Sequence, residues 1–109
     1  MNQDCIFCQI VRGEKPAEFL YKDESIVAFK DIKPHAPVHI LIVPRKHIRS
    51  INDLKIEDRE IVADLIFKAQ KISKELNIAN TGYKLVFNTE SGGGQFVFHL
   101  HLHLVGGWE

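Results

Sequence analysis

The 109-residue chain carries no net charge: 14 basic side chains stand against 14 acidic ones. A general nucleic-acid or anionic-membrane binder would show a basic excess, so both partner classes are set aside. No apolar run approaches the roughly 20 residues that a membrane helix needs. Met1-Asn2-Gln3-Asp4 is polar and lacks the basic-then-apolar order of a signal peptide, which makes the cytoplasm the default compartment. Cysteine is nearly absent. The only two lie three apart, Cys5-Ile6-Phe7-Cys8, too close to staple a fold; that spacing suits metal or redox chemistry. There is no internal repeat, low-complexity segment or linker-like stretch. Residues 1–109 therefore read as a single domain, long enough for one core.

What is present is concentrated at the end. His99-Leu100-His101-Leu102-His103-Leu104 alternates polar and apolar residues directly after the turn Ser91-Gly92-Gly93-Gly94-Gln95. Period-2 alternation predicts a half-buried strand over 99–104, with the histidines on one face, roughly 6.5–7 Å apart, and the leucines on the core. Histidine titrates near neutrality and binds metals, so three in register point to chemistry rather than filler. The glycine-rich turn offers backbone N–H groups to an anion. Two mechanisms remain open on these residues alone. Imidazole could attack phosphorus directly, or the row could hold a catalytic zinc.

Upstream, Ile6, Phe7, Ile10 and Val11 fit a short helix ended by Gly13 and Pro16. Phe19–Tyr21 and Ile26–Phe29 flank the polar turn Lys22–Ser25 and predict a hairpin. The segment 31–37 is a loop, since its two prolines cannot join a central ladder. Val38–Val43 reads as a buried central strand interrupted by His39, either a core histidine paired with backbone or one that looks into a site. Residues 56 to about 76 form the one long helix: Ile61, Val62, Leu65, Ile66, Ala69, Ile72 and Leu76 mark an apolar face, and its charges read as a solvated one. A further strand covers 82–88. The sum is an α+β domain: a mostly antiparallel five-stranded sheet, one long helix and a short N-terminal helix.

The histidine strand, preceded by Gly94-Gln95 and followed by Gly106-Gly107, resembles the signature of the histidine triad family, in particular its Hint-type purine nucleotide-binding phosphoramidases. Phe29, Asp31-Ile32, His39, Pro44-Arg45-Lys46-His47 and Asn88 extend the resemblance through most of the chain. It implies a nucleotide hydrolase or transferase that cleaves purine nucleoside 5′-phosphoramidates through a nucleotidyl-histidine. His101 is then the nucleophile on the α-phosphorus, His103 contacts the phosphate, His39 orders the cluster, and the carbonyl of His99 fixes the tautomer of His101. Asn88 and the N–H groups near Gly94 and Gln95 would bind phosphate. Asp31 would hold the ribose, with Ile6, Phe7, Ile10, Phe29 and Ile32 as the base slot.

The resemblance further implies a structural zinc on Cys5, Cys8, His47 and His99, and a homodimer formed through the long helix and the strand near 83–88. Two departures stand out. Phe96 occupies the position where the family usually carries serine or threonine after Gly-Gln, a hydroxyl assigned to the phosphate or leaving group; one such donor can carry about 10²–10³ in rate. The chain also ends at Trp108-Glu109, where many relatives have a longer tail that shapes leaving-group choice. The rival expectations are a dinucleoside polyphosphate hydrolase and a nucleotide-binding interaction module with little turnover.

Overall fold

A computed structural model of the chain describes residues 5–108. The polar opening Met1-Asn2-Gln3-Asp4, read above against a signal peptide, and the terminal Glu109 lie outside the described residues. The elements in order are α1 (Ile6–Val11), β1 (Phe19–Lys22), β2 (Ile26–Lys30), β3 (Val38–Pro44), α2 (Arg59–Glu75), β4 (Tyr83–Val86) and β5 (Leu102–Gly106). Five strands form one sheet in the order β1-β2-β3-β5-β4, and every neighbouring pair is antiparallel. This is the α+β architecture that the pattern predicts. Among the described residues, no helix is long and apolar enough to cross a membrane.

The apolar runs of β2 and β3, broken only by His39 within β3, follow from burial on both faces of the sheet. Ile26, Ala28, Ile40, Ile42, Leu102 and Leu104 turn to one side, where Leu65, Ala69 and Ile72 of α2 complete the core. Val27, Phe29, Leu41 and Val43 turn to the other, where Phe7 and Cys8 of α1 cover them. α1 is too short to cover that whole face. Beyond it, the register sets His39 opposite Val105, Leu41 and Val86 opposite His103, and Lys84 opposite Val105. The part of the sheet that no helix covers is therefore the part that carries histidines.

The hairpin forms where predicted, because Asp23 is a built-in turn residue: its Oδ1 accepts the N–H groups of Ser25 and Ile26 at 2.7 and 2.8 Å. The long helix starts at Arg59 rather than at 56, because Ile56–Asp58 form a 3-10 turn ahead of it. Its charges are not all solvated. Asp58 is buried and accepts hydrogen bonds from Lys46 Nζ (2.7 Å) and the Lys55 N–H (3.0 Å).

The histidine strand differs most from its expectation. Leu100, Leu102 and Leu104 do enter the α2-side core, but ladder pairing begins only at Leu102. Ahead of it the chain is pinned by the Leu100 N–H to the Ile48 carbonyl, at 2.6 Å. Strict alternation marks which way side chains point, and it cannot show where a partner strand stops. β3 continues to Pro44, but its ladder with β5 stops at Ile42, which pairs with Leu102, and Pro44 has no N–H to extend it.

Candidate active site

The three histidines do not form one row. His99 lies beyond the end of the ladder and its ring turns to Cys5, Cys8 and His47, while His101 and His103 remain together with rings 4.8 Å apart. Phe7 stands between the two groups, edge-on to His101 at 4.9 Å and to His99 at 6.1 Å.

The surroundings of His101 fix which of its ring nitrogens keeps a lone pair. Its Nδ1–H donates to the His99 carbonyl oxygen at 2.7 Å, so Nε2 keeps the lone pair. The ring is only 8% exposed, and burial pushes its pKa below that of free imidazole, with the nearby His39 adding to the effect against the opposing pull of the His99 carbonyl and Asp31. At neutral pH the ring is uncharged and its lone pair is available.

His39 resolves its two readings by meeting both. Its Nδ1 accepts the backbone N–H of His35 at 3.1 Å, which leaves the hydrogen on Nε2. That hydrogen is directed to His103 Nδ1 at 2.9 Å, with Asp31 Oδ2 also 3.4 Å from Nε2. His103 must then carry its own hydrogen on Nε2, a donor for a substrate oxygen. Burial lowers the pKa of both rings, that of His103 to about 4, with His101 and His39 contributing. Asp31, His39 and His103 also bring ligand atoms within 4.8 Å of one another. Their hydrogen-bond pattern is that of a relay: a metal on His39 Nε2 would put a hydrogen on Nδ1, facing the N–H of His35.

These groups open into a cleft of about 750 Å³, within the usual range for small-ligand sites. Ile6, Phe7, Ile10, Phe29, Asp31 and Ile32 line one part of it; His39, His101, His103, Asn88, Gly94 and Phe96 line another. Phe29 is the buried floor, T-shaped to Phe7 at 5.5 Å and stacked with Phe19 at 5.9 Å. Phe96 is 91% exposed at the rim. Of the residues that sequence reasoning places at the substrate, Gln95 alone is not brought to the cleft. Its side chain is buried, accepting the Glu90 N–H at 2.7 Å and donating to the carbonyls of Arg49 and Val97 at 2.8 and 3.0 Å. The N–H groups of Gly94 and Gln95 are held inside the turn by the carbonyls of Ser91 and Glu90, each at 3.1 Å. At Gly94 the turn needs glycine: φ is +87°, and a Cβ would meet the Asn88 side chain at 3.4 Å.

Sequence reasoning missed Lys84, Val86 and Trp108, which also line the cleft. Only the register of β4 against β5 could have found the first two, because a strand's pairing decides which of its faces joins a site. It likewise missed Arg49 and Glu90, whose carboxylate accepts from Arg49 Nε and Nη2 at 3.1 and 2.9 Å.

The second cluster closes on itself. Cys8 Sγ lies 3.2 Å from His47 Nδ1 and 3.5 Å from His99 Nδ1; Cys5 Sγ lies 3.3 Å from His99 Nδ1, and the two Nδ1 atoms are 3.2 Å apart. A tetrahedral zinc with ordinary bond lengths gives edges of about 3.3 Å for N···N and about 3.5 Å for S···N. His99 Nε2–H donates to the Pro44 carbonyl at 2.8 Å, so its Nδ1 lone pair faces the sulfurs, as a ligating histidine requires. Burial and the neighbouring Cys5 raise the Cys8 thiol to about 11, a cost that a cation among these ligands would offset. The donor set fits a metal ion with all four positions filled by protein.

The family described as "Scavenger mRNA decapping enzyme C-term binding" matches residues 4–107. A purine nucleoside phosphoramidase of Escherichia coli K12 is 43% identical over 107 residues, covering 98% of this chain and 90% of that protein. The crystal structure of a HIT family hydrolase from Legionella pneumophila Philadelphia 1 superposes with a TM-score of 0.95 at 48% identity, over 97% of this chain and 95% of the other. A zinc-bound histidine triad family protein from Mycobacterium smegmatis matches with a TM-score of 0.85 at 32% identity, over 97% of this chain and 76% of that one. With the wired histidines on the cleft face of this sheet, the chain belongs to the histidine triad family.

Proposed function

We propose that this chain, taken as one domain over residues 1–109, hydrolyses purine nucleoside 5′-phosphoramidates or related nucleotidyl conjugates through a nucleotidyl-histidine. One observation carries the mechanism: the 2.7 Å bond from His101 Nδ1–H to the His99 carbonyl leaves the Nε2 lone pair free in a substrate-sized cleft. That lone pair forms a bond to the α-phosphorus, and the P–N bond breaks with its electron pair leaving on the amine, which takes a proton from water. His103 Nε2–H donates to a phosphate oxygen as charge builds there. A water molecule then attacks phosphorus, breaks the N–P bond and releases the nucleoside monophosphate, restoring neutral His101.

The apolar slot of Ile6, Phe7, Ile10 and Ile32 over Phe29 would take the purine, with Asp31 toward the ribose. Zinc on Cys5, Cys8, His47 and His99 would join the chain's start to its end and supply rigidity, with no position open to substrate. A homodimer is supported by what lies uncovered: Ile66 and Phe67 on α2 and Leu85 on the edge strand β4 are all exposed apolar side chains. The cytoplasm, where thiols stay reduced and available to zinc, is the compartment we assign.

A second reading, a nucleotide-binding module with little turnover, is favoured by Phe96, which puts an exposed ring where a hydroxyl donor would serve the phosphate. Turnover of adenosine 5′-phosphoramidate beside diadenosine tetraphosphate, with adenosine monophosphate binding measured in parallel, separates the readings. Faster cleavage of the phosphoramidate supports the proposal. Preference for the tetraphosphate moves the leaving group to a nucleotide, and binding without turnover of either supports the module.

A further inference from the structure

The loop between β4 and β5 hangs on one residue. Glu90 has φ 60° and ψ 171°, a backbone region left almost wholly to glycine. Each polar group of this residue is engaged. Its N–H donates to Gln95 Oε1 at 2.7 Å, and its carbonyl accepts the N–H groups of Gly93 and Gln95 at 3.0 and 3.1 Å. Its carboxylate accepts from Arg49 Nε and Nη2 at 3.1 and 2.9 Å and from Ser50 Oγ at 3.1 Å. Gln95 Nε2 then returns to the Arg49 carbonyl at 2.8 Å, and the Arg49 guanidinium lies 4.2 Å over the Phe98 ring. The result is a closed circuit joining the glycine turn to the segment just after His47.

Folding stability does not explain it. The Arg49 and Glu90 side chains are 48% and 37% exposed, and an ion pair so placed adds little to stability. A turn with no other duty would take glycine at position 90 and avoid the strain. What the forked arginine does supply is a fixed orientation. Strained residues persist where their surroundings over-determine them, and the same loop brings Asn88, Gly94, Phe96 and Val97 to the cleft.

We infer that Glu90 is a positioning residue: its ion pair with Arg49 latches the glycine turn in the arrangement that presents Asn88, Gly94, Phe96 and Val97 to the substrate, which rests on the reading of the cleft as a nucleotide site. The latch acts through the loop and touches no substrate. It fixes the glycine turn in advance, so that substrate binding need not order it.

The test uses the full chain with Glu90→Gly, Arg49→Met, Arg49→Lys and the double variant Glu90→Gly/Arg49→Met. Turnover of adenosine 5′-phosphoramidate, binding of adenosine monophosphate and thermal unfolding are measured on each. Glu90→Gly removes strain together with the latch, so it should melt within a few degrees of the parent while kcat falls about tenfold or more. Arg49→Met should match it, and the double variant should be no worse than the poorer single within about twofold, because both remove one interaction. Arg49→Lys should recover part of the loss. Folded Glu90→Gly with kcat within about twofold of the parent overturns the inference, as do single losses that multiply in the double variant. If the parent binds adenosine monophosphate without turning over the phosphoramidate, the phosphoramidase reading fails separately. The latch is then judged on affinity: weakening of about fivefold or more in both single variants sustains it, and unchanged affinity overturns it. A parent that neither binds nor turns over removes the site reading and the latch with it.

Discussion

At the residue scale the chemistry depends on which nitrogen of each imidazole carries a hydrogen. The His99 carbonyl decides it for His101, and the His35 N–H decides it for His39 and, through the 2.9 Å bond, for His103. His39→Ala should therefore slow turnover by about 10²-fold while adenosine monophosphate still binds, since His103 loses the partner that sets its tautomer and ring position. Kinetics on the folded variant check this. The pH dependence has a definite sign. Protonation removes the lone pair of His101, and burial places its pKa below the ordinary imidazole value, so kcat/KM should decline as pH falls, with its inflection below 6.5. An inflection at or above 6.5 in the pH profile would contradict the buried, neutral nucleophile.

Much of this scale is legible in the sequence. His101 and His103 stand out by residue type and spacing, whereas His39 shows only as an interruption of an apolar strand, open to a core or a site reading. The role of Gln95 is not legible, because a glutamine after glycines looks the same whether it faces a ligand or bonds its own loop; burial decides, and burial is a property of the fold. Nor is Glu90, since nothing in the letters Asn-Thr-Glu-Ser reveals a positive φ.

At the element scale, the cluster of Cys5, Cys8, His47 and His99 brings α1 together with the segments just after β3 and just before β5. Removing metal with a chelator, or changing Cys8→Ser, should lower the melting temperature by at least about 10 °C. Zinc analysis should fall from about one ion per chain to none, because a closed site needs every ligand. Below the new melting temperature, turnover should survive. A chelator that abolishes turnover while circular dichroism and melting stay unchanged would assign the metal to catalysis instead. The elements themselves were largely readable: period-2 and period-3.6 patterns mark the strands and helices, and Pro37 and Pro44 fence β3. The start of β5 was not, because alternation continues through His99 and His101 whether or not a neighbour strand is there to pair.

At the scale of the whole molecule, the sheet is covered by α2 on one side and opened on the other, and its β4 edge and the outward side of α2 leave Phe67, Ile66 and Leu85 uncovered. Burying such a surface against a second copy would remove both an edge strand and an apolar patch. Sedimentation equilibrium should give a dimer for the parent and a monomer for Phe67→Glu; a monomeric parent contradicts the assembly. The sequence gives the apolar letters on this surface, but which of them the core leaves uncovered depends on how α2 sits on the sheet.

Under the proposed chemistry His101 becomes covalently bonded to phosphorus. The most direct measurement is rapid acid-free quenching of the protein with adenosine 5′-phosphoramidate, followed by peptide mass spectrometry. One adenylyl group should appear on the peptide carrying residues 99–103, rise before steady-state turnover and be absent from folded His101→Ala, which should also lose at least about 10⁴-fold in rate. Turnover that persists in His101→Ala, with no adenylyl group on that peptide in the parent, would contradict the account.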